Sequence, residues 1–179
     1  MITRREFVCG VACAAAAGKL MGQETDASNN EFLVAPCGLY CGACTAYLST
    51  KGIRAATGKA KGPAMECDGC LGGGRLPAHA PKCAIRECAE AKTKTRRCSE
   101  CEEFPCSRIT DFNNDGMLHH SEVLENLRQL RADGIKEWTK HEEDRWSCPK
   151  CRTKLSWYDA ECPECKTARS TRLFPLKKA

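Results

Sequence analysis

Ser147-Cys148-Pro149-Lys150-Cys151, ten residues, then Cys162-Pro163-Glu164-Cys165 is the stretch that decides how this chain is read. Two cysteines separated by two residues present their thiolates from one tight turn. Two such turns complete a tetrahedral site, with each sulfur about 2.3 Å from a zinc ion. The intervening Leu155-Ser156-Trp157-Tyr158-Asp159-Ala160-Glu161 is long enough for a short hairpin that folds one knuckle over the other. The spacing predicts a zinc ribbon on Cys148, Cys151, Cys162 and Cys165. Rubredoxin-like iron is the rival, since its knuckles also read Cys-Pro-x-Cys, but the inter-knuckle segment is short for it. Trp157 and Tyr158 are expected to cover the site. Four thiolates leave no open coordination position, so such a site supports structure rather than hydrolysis.

The same doublet grammar runs upstream. The chain has 179 residues and 16 cysteines. Cys37, Cys41 and Cys44 form C-x3-C-x2-C, and Cys67 and Cys70 form C-x2-C. Cys83, Cys88, Cys98, Cys101 and Cys106 complete a ten-cysteine module over residues 36–109. One division joins the consecutive Cys67, Cys70, Cys83 and Cys88 into a site; interleaving is equally open. Zinc and [4Fe-4S] ligation both suit these thiols. C-x3-C-x2-C is the radical-SAM spacing, but the long barrel such enzymes need is missing. Disulfides are a third reading. Cys67-Asp68-Gly69-Cys70 as a redox dithiol is disfavoured, because it neither follows a strand nor opens a helix.

Aromatic residues make up 6% and charged residues 28%, thin material for a large apolar core, so metal binding and folding are expected to be coupled. The fold class expected is a small, loop-rich, metal-stabilised α+β protein. Short helices are expected at 41–49 and 86–94. Residues 110–146 contain no cysteine and read as a helical hairpin. Ser121 caps a helix through Val123, Leu124, Leu127 and Leu130, Gly134 stops it, and Ile135 and Trp138 open a second. The ribbon follows at 147–166 and a basic, solvated tail at 167–179. The net charge of +5 is modest, and nucleic acid is not an expected partner.

Asp111-x-Asn113-x-Asp115-Gly116, five residues, then Glu122 matches an EF-hand calcium loop. The short segment after Pro105 leaves little room for an incoming helix. A polar turn capping the following helix is the competing reading. His119 and His120 follow as a further metal or pH-sensitive element, or as bystanders.

Thr3-Arg4-Arg5-Glu6-Phe7-Val8 and the apolar run to Ala17 read as a twin-arginine export signal over residues 1–22, with Ala15-Ala16-Ala17 as a cleavage site and 23–35 as a polar linker. Cys9 and Cys13 leave with it. The run is too short to span a bilayer. The expected compartment is periplasmic or extracytoplasmic, reached already folded and metal-loaded through the export machinery.

Taken together, APCGLYCGACTAY, CDGC, CAIREC, CSECEEFPC, HHSEVLENLRQLRADGIKEW and RWSCPKCRTKLSWYDAECPEC resemble a family of small cysteine-rich bacterial and archaeal proteins of unknown function, over residues 35–166. The resemblance implies metal binding by clustered cysteines and a ribbon-like end, and it implies no activity. Arg152 stands where such knuckles usually have Gly, and the export signal is an addition to the family's start. No paired carboxylates, nucleophile–base set or phosphate loop is found, which disfavours an enzyme. The leading function is a zinc-stabilised binding or scaffold protein with an unidentified protein partner; an Fe–S electron carrier is the alternative.

Overall fold

The computed structural model describes residues 30–54 and 65–176. The export signal expected at 1–22 lies outside them. Among the described residues, four α-helices carry the fold: α1 (Thr45–Thr50), α2 (Ala84–Lys92), α3 (Ser107–Asn113) and α4 (Val123–Arg145). Short 3-10 turns connect them. The β component expected from sequence is reduced, among the described residues, to three isolated antiparallel bridges: Val34 with Tyr40, Ser147 with Lys154, and Glu161 with Ala168. Each closes a tight turn, two of them around a cysteine doublet. No sheet forms because no described segment between turns is long enough to extend a ladder.

The helices sit close to their expected places, with shifts that have local causes. Cys44 adopts an extended φ/ψ of −75°/126°, so the helix expected from residue 41 begins only at Thr45, after a 3-10 turn over Cys41–Ala43. Thr93, also extended, ends α2 at Lys92. Gly134 breaks α4 with φ 78° and ψ 162°, a conformation that leaves the helix and that glycine adopts readily. The two halves expected around Gly134 are therefore both present, joined by a kink. Ser121 is not their cap. Its hydroxyl donates back to the Leu118 carbonyl at 2.7 Å. The Leu124 N–H, one of the free donors at the start of α4, instead donates to Asn113 Oδ1 at 3.0 Å.

One apolar cluster spans the described chain from Leu33 to Phe174. Val123, Leu127, Leu130, Trp138 and Trp146 line one side of α4 and its end, and all are buried. Against them lie Val34, Tyr40, Leu48 and Ile109. Tyr40 meets Trp138 edge-on, ring centroids 6.3 Å apart. Burial of each tryptophan removes about 200 Å² from water, on the order of 5 kcal/mol at ~25 cal/mol/Å². Glu142, 1% exposed, accepts from Arg145 Nη1 at 3.2 Å and from the Trp146 indole at 3.0 Å, so its charge is partnered inside the cluster.

Two expected segment boundaries move. The polar linker placed at 23–35 ends sooner, because Leu33, Val34 and Ala35 enter the core. The tail placed at 167–179 is not a free arm over its described part, since Leu173 and Phe174 are buried. Arg169 donates to the carbonyls of Asp159 (2.8 Å) and Phe174 (3.2 Å), and its guanidinium lies over the Trp146 and Phe174 rings. Its charge satisfies backbone acceptors here. The C-terminal cysteine unit is tied to the front of the chain as well. The Trp157 N–H donates to the Ala43 carbonyl at 3.0 Å, and Arg54 pairs with Asp159.

Candidate metal centre

Each cysteine doublet of the C-terminal unit is built by the same three backbone hydrogen bonds. In the first knuckle, Cys148 N–H donates to Thr153 O (2.9 Å), Arg152 N–H to Cys148 O (2.9 Å) and Leu155 N–H to Trp146 O (2.8 Å). In the second, Cys162 N–H donates to Thr167 O (2.8 Å), Lys166 N–H to Cys162 O (3.0 Å) and Arg169 N–H to Ala160 O (3.1 Å). Every donor and acceptor recurs 14 positions later, and so does the local sequence: CPKCRT at 148–153 and CPECKT at 162–167. Arg152 (φ 63°) and Lys166 (φ 60°) both occupy the left-handed region. That is the conformation for which glycine is usual, and each residue holds it at a modest steric cost.

The two knuckles bring four sulfurs together. The Sγ atoms of Cys148, Cys151, Cys162 and Cys165 all lie within 4.8 Å of one another. Cys151 to Cys162 is 3.5 Å and Cys148 to Cys165 is 3.6 Å. A regular tetrahedron with metal–sulfur bonds of about 2.3 Å has sulfur–sulfur edges of about 3.8 Å. The donor set therefore fits one tetrahedral thiophilic ion. Among the described residues this is the one group of three or more His, Cys, Asp or Glu ligand atoms gathered so closely.

Two threonines missing from the sequence-based site complete it. Thr153 Oγ1 lies 3.2 Å from Cys151 Sγ, and Thr167 Oγ1 lies 3.1 Å from Cys165 Sγ. Each hydroxyl can donate to the second sulfur of its own knuckle. At Cys165 this bond, followed by the Thr167 N–H, lowers the thiol to about 6. Backbone N–H groups of Cys151 and Lys150 lower Cys148 as well. Cys162 moves the other way. The Cys165 N–H lowers it, but burial and the adjoining Cys151 and Cys148 thiols outweigh that and push it up to about 11. Without a metal the four sulfurs share protons; an ion would displace those that remain. The signal for both threonines was present as the 14-residue repeat.

Trp157 and Tyr158 engage His119. The Trp157 ring stacks on the imidazole at 4.3 Å and 17°, and the Tyr158 hydroxyl is 2.6 Å from Nδ1. Burial, then the charge of His120, lowers His119 to about 4. The calcium-loop residues are dispersed among separate partners. Asp111 lies within α3 and Asn113 caps α4. Asp115 accepts from the Met117 N–H and pairs with His120, while Glu122 pairs with Arg145. Their oxygens do not gather into a cation site.

All ten upstream cysteines are free thiols. The thiol of Cys70 adjoins those of Cys41, Cys37 and Cys44. Cys67 adjoins the same group, its Sγ accepting from the Gly69 N–H at 3.4 Å, with burial pushing it up to about 11. Cys88 lines a cavity with Cys98, Cys101 and Cys106, and Cys83 adjoins both Cys98 and Cys37. Thiols from separate stretches of the chain therefore adjoin one another, Cys67 and Cys70 meeting Cys44, and Cys70 also meeting Cys41. Closure of the N-terminal turns over the Cys67–Cys70 loop, not sequence proximity, decides the neighbours.

The fold and site define a small cysteine-rich protein with a C-terminal four-thiol unit able to hold a metal ion. Residues 33–111 match the model of a family described as a protein of unknown function (DUF3795). The match is narrower than the resemblance over 35–166, leaving α4 and the four-thiol unit beyond it. No curated protein and no solved structure matches the chain. Among the described residues, no helix is long and apolar enough to cross a membrane.

Proposed function

We propose that the chain is an exported zinc-binding scaffold, in which the C-terminal four-thiol unit is a zinc ribbon that fixes the end of α4 and the residues after it against the core for a protein partner. The observation that supports this most directly is the sulfur geometry: edges of 3.5 and 3.6 Å, close to the ~3.8 Å a tetrathiolate zinc requires. Four sulfurs fill the coordination sphere and leave no position for water or substrate, so the ion's contribution is structural. It replaces shared protons and cross-links two knuckles that the backbone has already formed. The ion would act as part of the fold itself.

The test is metal analysis of the mature chain purified without air, beside Cys148→Ser/Cys162→Ser. The expected result is a colourless protein containing zinc, with one equivalent lost in the double variant and a lower melting temperature. A brown protein with iron and acid-labile sulfide would overturn the scaffold reading in favour of an electron carrier. Equal zinc content in both proteins would remove the ribbon. Export is tested separately: Arg4→Lys/Arg5→Lys should retain the protein in the cytoplasm, and unchanged localisation would refute the twin-arginine route.

A further inference from the structure

A second set of four thiols lines a small cavity whose walls include none of the C-terminal unit's residues. Cys88 projects from α2, Cys98 and Cys101 sit on a 3-10 turn, and Cys106 immediately precedes α3; all four line the cavity. Cys98 and Cys101 bracket that 3-10 turn, closed by the Cys101 N–H donating to Cys98 O at 3.2 Å, so both sulfurs leave one tight turn. Cys83 immediately precedes α2; its thiol adjoins Cys37 and Cys98 but is not on the cavity wall. The remaining walls include Ile85, Ala89 and Ile109, all buried.

Size, softness and charge point to the occupant. The cavity measures about 20 Å³, room for about one water-sized occupant, the scale of a single ion. Four thiols among Ile85, Ala89, Phe104 and Ile109 select a soft or borderline ion over magnesium or calcium. Four thiolates around a divalent ion carry a net charge of −2, and cationic groups stand nearby. Lys92 and Arg108 are on the lining, with Glu103 paired to Lys92 at 2.5 Å. From α4, Arg131 donates to the Ser99 carbonyl and, at 2.8 Å, to the Cys101 carbonyl, and its guanidinium lies 5.0 Å from the Phe104 ring centroid. The turn is thereby clamped from outside by a permanent positive charge.

We infer that Cys88, Cys98, Cys101 and Cys106 form a second, mononuclear zinc site, separate from the C-terminal unit and independent of it. The four sulfurs are more widely spread than those of the C-terminal unit, so binding draws them inward around the ion.

Zinc titration of the metal-free full chain, read by cysteine alkylation and peptide mapping, tests the assignment. Cys88, Cys98, Cys101 and Cys106 should become protected as one set with one zinc equivalent, without Cys83. Cys101→Ser should lose that equivalent while Cys148, Cys151, Cys162 and Cys165 remain zinc-protected. The wild-type protection pattern stands even if the variant folds poorly. Protection of Cys83 in place of Cys88, unprotected Cys88 and Cys106 at saturating zinc, or iron and sulfide bound at these four residues would each overturn the site. None of these outcomes bears on the C-terminal unit, whose cysteines are scored separately.

Discussion

Gly38 lies inside the C-x3-C turn, and the whole turn rests on α4 at that point. Its φ is +84°, and a β-carbon built there would lie 2.7 Å from Leu127 Cγ and 2.9 Å from Cδ2. Leu127 is completely buried and cannot swing away. The Gly38 carbonyl also accepts from buried Asn126 Nδ2 at 3.1 Å, which restricts any backward shift of the turn. Gly38→Ala therefore carries two separate costs: ~1–2 kcal/mol for a left-handed alanine and ~1–3 kcal/mol for overpacking. After allowance for the reduced entropy of the unfolded chain, the sum is about 2–4 kcal/mol. The two parts can be separated. Leu127→Ala alone costs about 2–5 kcal/mol, but in the double variant the steric part vanishes and the backbone part stays. Denaturant unfolding of the zinc-loaded proteins should give a double-variant cost smaller than the sum of the singles by about 1–3 kcal/mol. Gly116→Ala is the control, since φ is +89° there and no atom lies within 4 Å of its β-carbon; combined with Leu127→Ala it should be additive. Additivity for the Gly38–Leu127 pair would refute the docking argument.

Three further outcomes follow from contacts already described. Glu142→Ala removes the buried acceptor of Arg145 and the Trp146 indole and should cost about 3 kcal/mol in denaturant unfolding, with Glu142→Gln milder because it preserves an acceptor. His119 is held neutral down to about pH 4, whereas an unfolded histidine titrates near 6.5. Between those values the unfolded chain binds more protons, so stability should fall as pH drops from 6.5 to 4. His119→Phe should flatten that slope; an unchanged slope would place its origin in another group. Millimolar calcium should leave the melting temperature unchanged, because Asn113, Asp115 and Glu122 are already committed to Leu124, His120 and Arg145. A rise of several degrees would revive the loop as a calcium site.

The parts of the fold that sequence made legible are those whose partners are close in the chain. The C-terminal knuckles follow from spacing alone, because each closes within ten residues and its repeat stands 14 positions away. The two halves of α4 were legible from apolar periodicity and from Gly134, the residue that interrupts them. Contacts between distant residues were not. Asn113 caps α4 from 11 positions before Leu124, and that position was occupied in the reading by a calcium ligand of the same chemistry. Arg169 looked like part of a solvated basic tail because charge marks exposure only when no carbonyl and ring face await it. The division of the upstream thiols depends on which turns lie against one another, and doublet spacing carries no record of that.

The backbone bond from Trp157 to Ala43 spans 114 positions. Ribosomes deliver the N-terminal residues first, at ~5–20 per second, so Ala43 and the thiols around it leave the tunnel roughly 6–23 s before their acceptor finds its donor. Cys70 follows Cys44 by 26 positions, so its loop arrives after roughly 1–5 s, but the tryptophan segment that closes over their turn is missing for the whole interval. An ion caught by those three alone would have to be retained or exchanged when Cys70 arrives. A thiol oxidised in the same interval would withdraw a sulfur from the turn. Biogenesis of this chain is therefore most vulnerable at its beginning, before translation has supplied the residues that protect it.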